Sequence, residues 1–274
     1  MTPDEYCRDK AAPSGSSLYY SLLFQAPAQR RANIAVHAFA QELRDVINDC
    51  REKEVARQTL QWWRMEIARA YAGNATHPAC QALQVAMTDF ELPQAAFQAI
   101  IEGHEQALRQ TAYPAFAALD THCRHLGGTL QQLTARISGF RCEETLDHAL
   151  ALGSAIQLTH LLRNIHADAR GGRLHLPQDE MAQYGVTEKD FIQARCNDNM
   201  QNLLAAQIER AQGHIIQALS LLPARDRSAQ RAGLIQAAIC RALLDKLRKS
   251  PCRAMNEQVS LTPLRKLWIA KRTH

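Results

Sequence analysis

Two sets of polar residues stand out by type and spacing. Glu42, Asp45 and Asp49 recur at intervals of three and four, so on a helix their carboxylates leave one side. His160, Asn164 and Asp168 recur at intervals of four, with Gln157 and Arg163 close by, and form a second column. The acidic set reads first as a stripe turned to water. That reading is weaker for the second set, because its flank LGSAIQLTHLL is too apolar for an exposed helix face. Polar groups in apolar surroundings need partners, so this column has the chemistry of a lined cavity.

Helices are needed to position both sets. No Gly or Pro interrupts the chain between Pro27 and Gly73, and Ile34, Ala35, Ala38, Phe39, Leu43, Val46 and Ile47 keep helical spacing. Leu60, Trp63, Ile67, Ala68 and Tyr71 repeat it up to a Gly73 stop. Further amphipathic stretches run through Pro93–Gln110, Phe116–Gly127, Glu143–Ala169, Thr187–Cys196, Met200–Leu222 and Ser228–Lys249. Strict apolar and polar alternation is nowhere sustained, which predicts an all-α fold, a single domain over residues 1–274 with no repeat or linker.

Composition agrees. With 46% hydrophobic and 22% charged residues the chain has the apolar content of a globular protein, and 12 Gly and 10 Pro are too few for a turn-rich all-β fold. No run approaches the ~18 apolar residues of a membrane span, and the start, MTPDEYCRDK, lacks the apolar core of a secretory signal. None of the eight cysteines is paired as C-x-x-C, and the expected location is a reducing cytoplasm. The net charge of +5 is uneven: Arg241–His274 holds nine Lys or Arg against two Asp or Glu. Such an end suits an anionic membrane, a phosphorylated ligand, nucleic acid or plain solvation. It lacks interleaved aromatics, which sets nucleic acid aside.

Longer motifs carry a resemblance. SGSSLYYS at Ser14–Ser21, LQWWRMEIARAYAG at Leu60–Gly73, THPACQAL at Thr76–Leu83 and LGGTLQQLTARISG at Leu126–Gly139 come in order, followed by LTHLLRNIHADARGGRLHLPQDEM at Leu158–Met181, YGV at Tyr184–Val186 and VSLTPLRKLWIA at Val259–Ala270. Together they resemble the squalene/phytoene synthase family, most closely its bacterial presqualene diphosphate synthases. The resemblance implies an isoprenoid synthase fold whose central cavity is flanked by two D-x-x-x-D helix segments. In active relatives these hold Mg²⁺ against the diphosphates of two farnesyl diphosphates during head-to-head condensation, in isoprenoid biosynthesis.

This sequence departs from that pattern. The first motif aligns on Arg44-Asp45-Val46-Ile47-Asn48 and the second on Asn164-Ile165-His166-Ala167-Asp168, so Asn48, Asn164 and Asp168 stand at metal positions and one of four aspartates survives. Asp45 and Asp49 spell D-x-x-x-D one residue late, a turn of about 100° that points them away from the cavity. The resemblance implies diphosphate binding for Arg163 and Arg173, with Arg44 able to meet a phosphate directly, and places Gln41, His122, Gln157, His160 and Cys240 at the cavity. Three readings stay open. One is a Mg²⁺-dependent prenyltransferase with an altered site. A second is a non-catalytic member acting in respiratory-complex assembly, as the complex I assembly factors do, or in prenyl-lipid binding. The third is a Zn²⁺ or Fe site of His122, His125, His160 and His166.

The same resemblance assigns residues 259–274 to a basic amphipathic end. Leu261, Leu264, Leu267, Trp268 and Ile269 with Arg265, Lys266, Lys271 and Arg272 suit a peripheral contact at the inner membrane face.

Overall fold

The chain folds, in a computed structural model that describes residues 1–50, 52–110 and 112–274, as helices joined by short turns. They are α1 (Pro3–Ala11), α2 (Ser17–Ser21), α3 (Pro27–Asp49), α4 (Lys53–Tyr71), α5 (Pro78–Asp89), α6 (Gln94–Arg109), α7 (Phe116–Cys123), α8 (Thr129–Ser138) and α9 (Glu144–Arg170). After them come α10 (Gln178–Gln183), α11 (Glu188–Ile192), α12 (Asp198–Ser220), α13 (Arg231–Arg248) and α14 (Pro263–Arg272). The fold is all-α, and among the described residues the only strand-like pairing is an isolated bridge between Tyr113 and Pro177.

Two apolar cores lie side by side. In the first, α1, α3, α4, α5, α6 and α8 pack around Phe39, whose ring meets Trp63 and Phe97 edge-on at 5.8 and 5.6 Å between centroids. The second gathers α7, α9, α11, α12 and α13 around residues such as Leu152, Phe191, Leu203 and Leu244. Helix α3 belongs to one core and α9 to the other, so the faces they leave uncovered meet in the middle.

The long helices follow the periodicity, and α4 stops as expected, with Gly73 at φ +81 reversing the chain. The Phe116–Gly127 stretch ends differently. Rather than stopping at the glycine pair, α7 runs through a π-helical turn at Arg124–Gly128 into α8. Glycine serves close approach there: a Cβ on Gly153 of α9 would collide with the Gly127 carbonyl, and one on Gly127 with Gly153. The Thr187–Cys196 stretch is helical only over Glu188–Ile192, because Ala194 turns out at φ +49. Cys196 and Cys252 are joined in a disulfide that ties the start of α12 to the turn after α13, a pairing that spacing alone does not reveal. The other six cysteines are free.

The C-terminal stretch also needs correction. Leu261 and Ile269 are buried against α13 rather than available to a membrane, which leaves Leu264 at 80% and Trp268 at 58% exposure as the apolar contacts α14 can offer. Arg272 lies over the Trp268 ring at 4.7 Å. No helix among the described residues is long and apolar enough to cross a membrane.

Candidate functional site

Between the two cores lie two adjoining cavities of about 150 and 260 Å³ that share Arg44, Arg163, Gln157 and His160 as a common wall. Helix α3 supplies His37, Gln41, Arg44 and Asn48, spaced four, three and four, so that one face lines the site. Helix α9 supplies Gln157, His160, Arg163, Asn164 and Asp168 in the same manner. The smaller cavity mixes aliphatic walls with charged groups and imidazoles, and is closed by His104 of α6, His122 of α7, and Arg173 and His175 beyond α9. The larger runs toward α2 and α13 and has Leu18, Leu130, Ile156, Ile239, Leu243 and Cys240 on its walls. Burial pushes the Cys240 thiol up to about 12, so it stays neutral there.

Cations dominate this wall. Arg44 is exposed by area because it borders open cavity, yet the surrounding helices withdraw enough water to lower its pKa; Asp45 and Asp168 oppose the effect and Arg163 adds to it. Burial lowers Arg163 as well. Among the described residues none of Arg44, Arg163 and Arg173 forms an ion pair. Arg44 donates to Gln41 Oε1 at 2.9 Å, Arg173 to the Ile47 carbonyl at 2.8 Å and to Asn48 Oδ1 at 3.0 Å, and Arg163 Nε to Asn164 Oδ1 at 3.4 Å.

The acidic residues of α3 are spent elsewhere. Lys10 of α1 lies 2.7 Å from Asp45 and 3.0 Å from Glu42, Tyr6 donates to Glu42, and Gln41 Nε2 donates to Asp45 Oδ1 at 2.6 Å. Neither Asp45 nor Asp49 lines either cavity. Glu42 and Asp45 latch α1 onto α3, so the expectation of a solvated stripe fails for them and holds for Asp49, which is exposed.

The positions that the family resemblance would assign to metal ligands do not suit Mg²⁺, a hard cation that wants near-octahedral oxygen donors. Asn48 Oδ1 accepts from Arg173, and Asn164 Oδ1 accepts from Gln258 at 3.1 Å as well as from Arg163. These donors also fix which amide atom faces them. Asp168, the one carboxylate in the cavity, lies 3.4 Å from His175 Nδ1, and Arg44 stands in the same space. The histidines do not gather either. His122 and His160 line the cavity, whereas His125 faces Gln106 and His166 faces the Phe191 carbonyl. No group of three or more His, Cys, Asp or Glu among the described residues could hold a metal ion.

Three cavity histidines escape the sequence reading. His37 could have been found, because it extends the Gln41, Arg44 and Asn48 face by one turn; His175 stands within the quoted RGGRLHLP, and His104 carries no pattern that distinguishes it from a core histidine. Burial lowers His37 and His104 to about 4 and His122 to about 3, and lowers His160 as well. The cavity is therefore ringed by neutral imidazoles at neutral pH. The His122 and His175 rings stack at 5.6 Å beside Tyr113.

Comparisons agree with this architecture. Over 262 residues the chain is 28% identical to a presqualene diphosphate synthase of Sinorhizobium fredii, covering 95% of this chain and 94% of that one. It is 28% identical to a 15-cis-phytoene synthase of Synechococcus elongatus over 226 residues, 78% of this chain and 73% of that protein. A squalene synthase of Alicyclobacillus acidocaldarius superposes with a TM-score of 0.76 at 26% identity, covering 90% of this chain and 93% of that structure. Residues 11–265 match the squalene/phytoene synthase family, and the chain belongs to it.

Proposed function

We propose that this protein acts on prenyl diphosphates in isoprenoid biosynthesis, by the head-to-head condensation that the names of its relatives imply. The observation that carries this is the shared wall: unpaired Arg44 and Arg163 stand where the arginine-bearing cavity meets the larger cavity that has Leu18, Ile156, Ile239 and Leu243 on its walls. A diphosphate on those guanidinium groups, with Arg173 beside them, leaves its hydrocarbon to the larger cavity. Guanidinium forks match phosphate oxygens and neutralise charge as it develops on a departing diphosphate. The test is incubation of the purified chain with farnesyl diphosphate and Mg²⁺, with and without NADPH. Presqualene diphosphate, squalene or phytoene is expected, and the absence of both product and binding would overturn the reading.

The engaged amides of Asn48 and Asn164 favour one second reading, in which the chain holds a prenyl diphosphate or lipid without turning it over. Binding without product in the same incubation decides for it. A role in respiratory-complex assembly gains nothing from the relatives described above.

For the C-terminal segment, residues 259–274, the reading is a peripheral membrane contact through α14. Leu264 and Trp268 lie one turn apart and exposed beside Arg265, Lys271 and Arg272. Leu264→Ser with Trp268→Ser is expected to weaken binding to vesicles containing anionic lipid; unchanged binding would remove the contact.

A further inference from the structure

We infer that this chain holds the anionic headgroup of its ligand on guanidinium groups directly, with no divalent cation between ligand and protein. The inference rests on the prenyl diphosphate reading and goes beyond it in naming what replaces the metal.

The smaller cavity carries three arginines, Arg44, Arg163 and Arg173, against one carboxylate, Asp168. Elsewhere partly buried arginines are satisfied locally: Arg64 meets Glu105 at 3.1 Å and Arg210 meets Glu180 at 2.7 Å, while Arg231 donates to the Thr273 carbonyl at 2.9 Å and lies over the Phe24 ring. The cavity arginines make no carboxylate contact among the described residues; Asp45 and Asp168 favour the charge on Arg44 only from a distance, while burial and the charge of Arg163 disfavour it. Desolvated cations of like sign without a counter-ion are costly. An anion of two or three negative charges entering between them removes that cost, and a prenyl diphosphate supplies it.

A divalent cation would do the opposite. It would enter a cavity already positive, and the attraction that normally draws it, paired carboxylates one turn apart, has been moved off this face. On α3 Asp45 and Asp49 sit one residue round the helix, outside both cavities, and Asp45 is paired with Lys10. In their place Arg44 occupies the wall, and the amide oxygens of Asn48 and Asn164 already accept from Arg173 and Gln258. A ligand phosphate oxygen can be bridged by these arginines without disturbing either amide. Arg44 therefore has the position and the charge to do what a bound cation would do, at a fixed place and without a free-metal requirement.

Calorimetric titration of the full chain tests this, with farnesyl diphosphate and inorganic pyrophosphate as separate probes, each in EDTA and in excess Mg²⁺. The expected result is binding in EDTA that Mg²⁺ improves by no more than about twofold, and that Arg44→Gln weakens by about tenfold or more, the loss of one charge-assisted pair. Arg44→Lys retains the charge but loses the fork, and is expected to fall between the two. The combined Arg44→Asp, Asn48→Asp and Asn164→Asp chain should lose binding in EDTA and regain it with Mg²⁺. Circular dichroism and thermal melting of each variant confirm that it is folded. Binding of the unaltered chain only in Mg²⁺, or equal binding by Arg44→Gln, overturns the metal-free site while leaving the ligand class intact. Failure of both probes in both buffers overturns the ligand reading and this inference with it.

Discussion

Helices α3 and α9 face each other across the cavity, but they reach that position by opposite means. Helix α3 is held by bulk: Phe39, fully buried, sits among Trp63 and Phe97, and with Val36, Leu43 and Val46 it forms the face that packs into the first core. Helix α9 is held by the absence of bulk, since Gly153 lets the Gly127 backbone come into contact. Their charges differ as well. Helix α9 retains a carboxylate in the cavity, Asp168, whereas α3 keeps its own outside and presents a cation. A site can thus preserve its frame while one of its two arms reverses sign, because the packing face and the cavity face of a helix are different residues.

The largest effects come from breaking the packing of either arm. Phe39→Ala should cost about 3–5 kcal/mol through the cavity left behind, and Gly153→Val about 1–3 kcal/mol or more through overpacking against a backbone that cannot retreat. Thermal melting measures both. The arms then separate on ligand binding at a temperature where each variant is folded. Gly153→Val displaces the wall shared by the two cavities and should weaken pyrophosphate binding, whereas the void under Phe39 lies away from the wall and should leave it close to normal. Equal losses of binding would mean that the two arms are not positioned independently.

The histidines between the arms give the next largest effect. His104 and His122 are buried, at 6% and 7% exposure, and burial holds them at about 4 and about 3 against an unfolded value near 6.5. Above pH 6.5 neither folded nor unfolded chain protonates them. As pH falls below 6.5 the unfolded chain takes up protons that the folded chain refuses, so stability is lost, by about 1.4 kcal/mol per histidine per pH unit until the folded value is reached. The melting temperature should therefore drop between pH 7 and pH 5, and His122→Gln should make that drop shallower. A melting temperature flat over this interval would show that these imidazoles are hydrated.

These features differ in how far they can be read from the sequence. The helices α3, α4, α6, α9, α12 and α13 are legible because each is long enough for a 3.6-residue period to repeat several times. The short ones, α1, α2, α10, α11 and α14, offer one or two turns, and the continuation of α7 through the π turn is hidden because glycine usually ends a helix. Within the site, Arg44 and Asn48 are legible as departures from a known pattern. Their saturation is not, since Asn48 meets Arg173 and Asn164 meets Gln258 from 125 and 94 residues away. The partner of Asp45 is invisible for the same reason: Lys10 is on a different helix.

That partner provides the finest test of the comparison. Lys10 bridges Glu42 and Asp45 with the three side chains between 13% and 31% exposed, so water still screens the network. Lys10→Ala should cost only about 0.5–1 kcal/mol, the usual yield of such a pair, and should loosen α1, whose last residue, Ala11, borders the larger cavity. If the outer carboxylates serve α1 alone, pyrophosphate affinity in EDTA stays within about twofold of the unaltered chain, a change of roughly 0.4 kcal/mol, while Arg44→Gln on the cavity face of the same helix lowers it strongly. A gain of Mg²⁺-dependent binding in Lys10→Ala would instead mean that the freed carboxylates can reach the ligand, and that the 100° between Asp45 and Arg44 does not separate the two faces of α3.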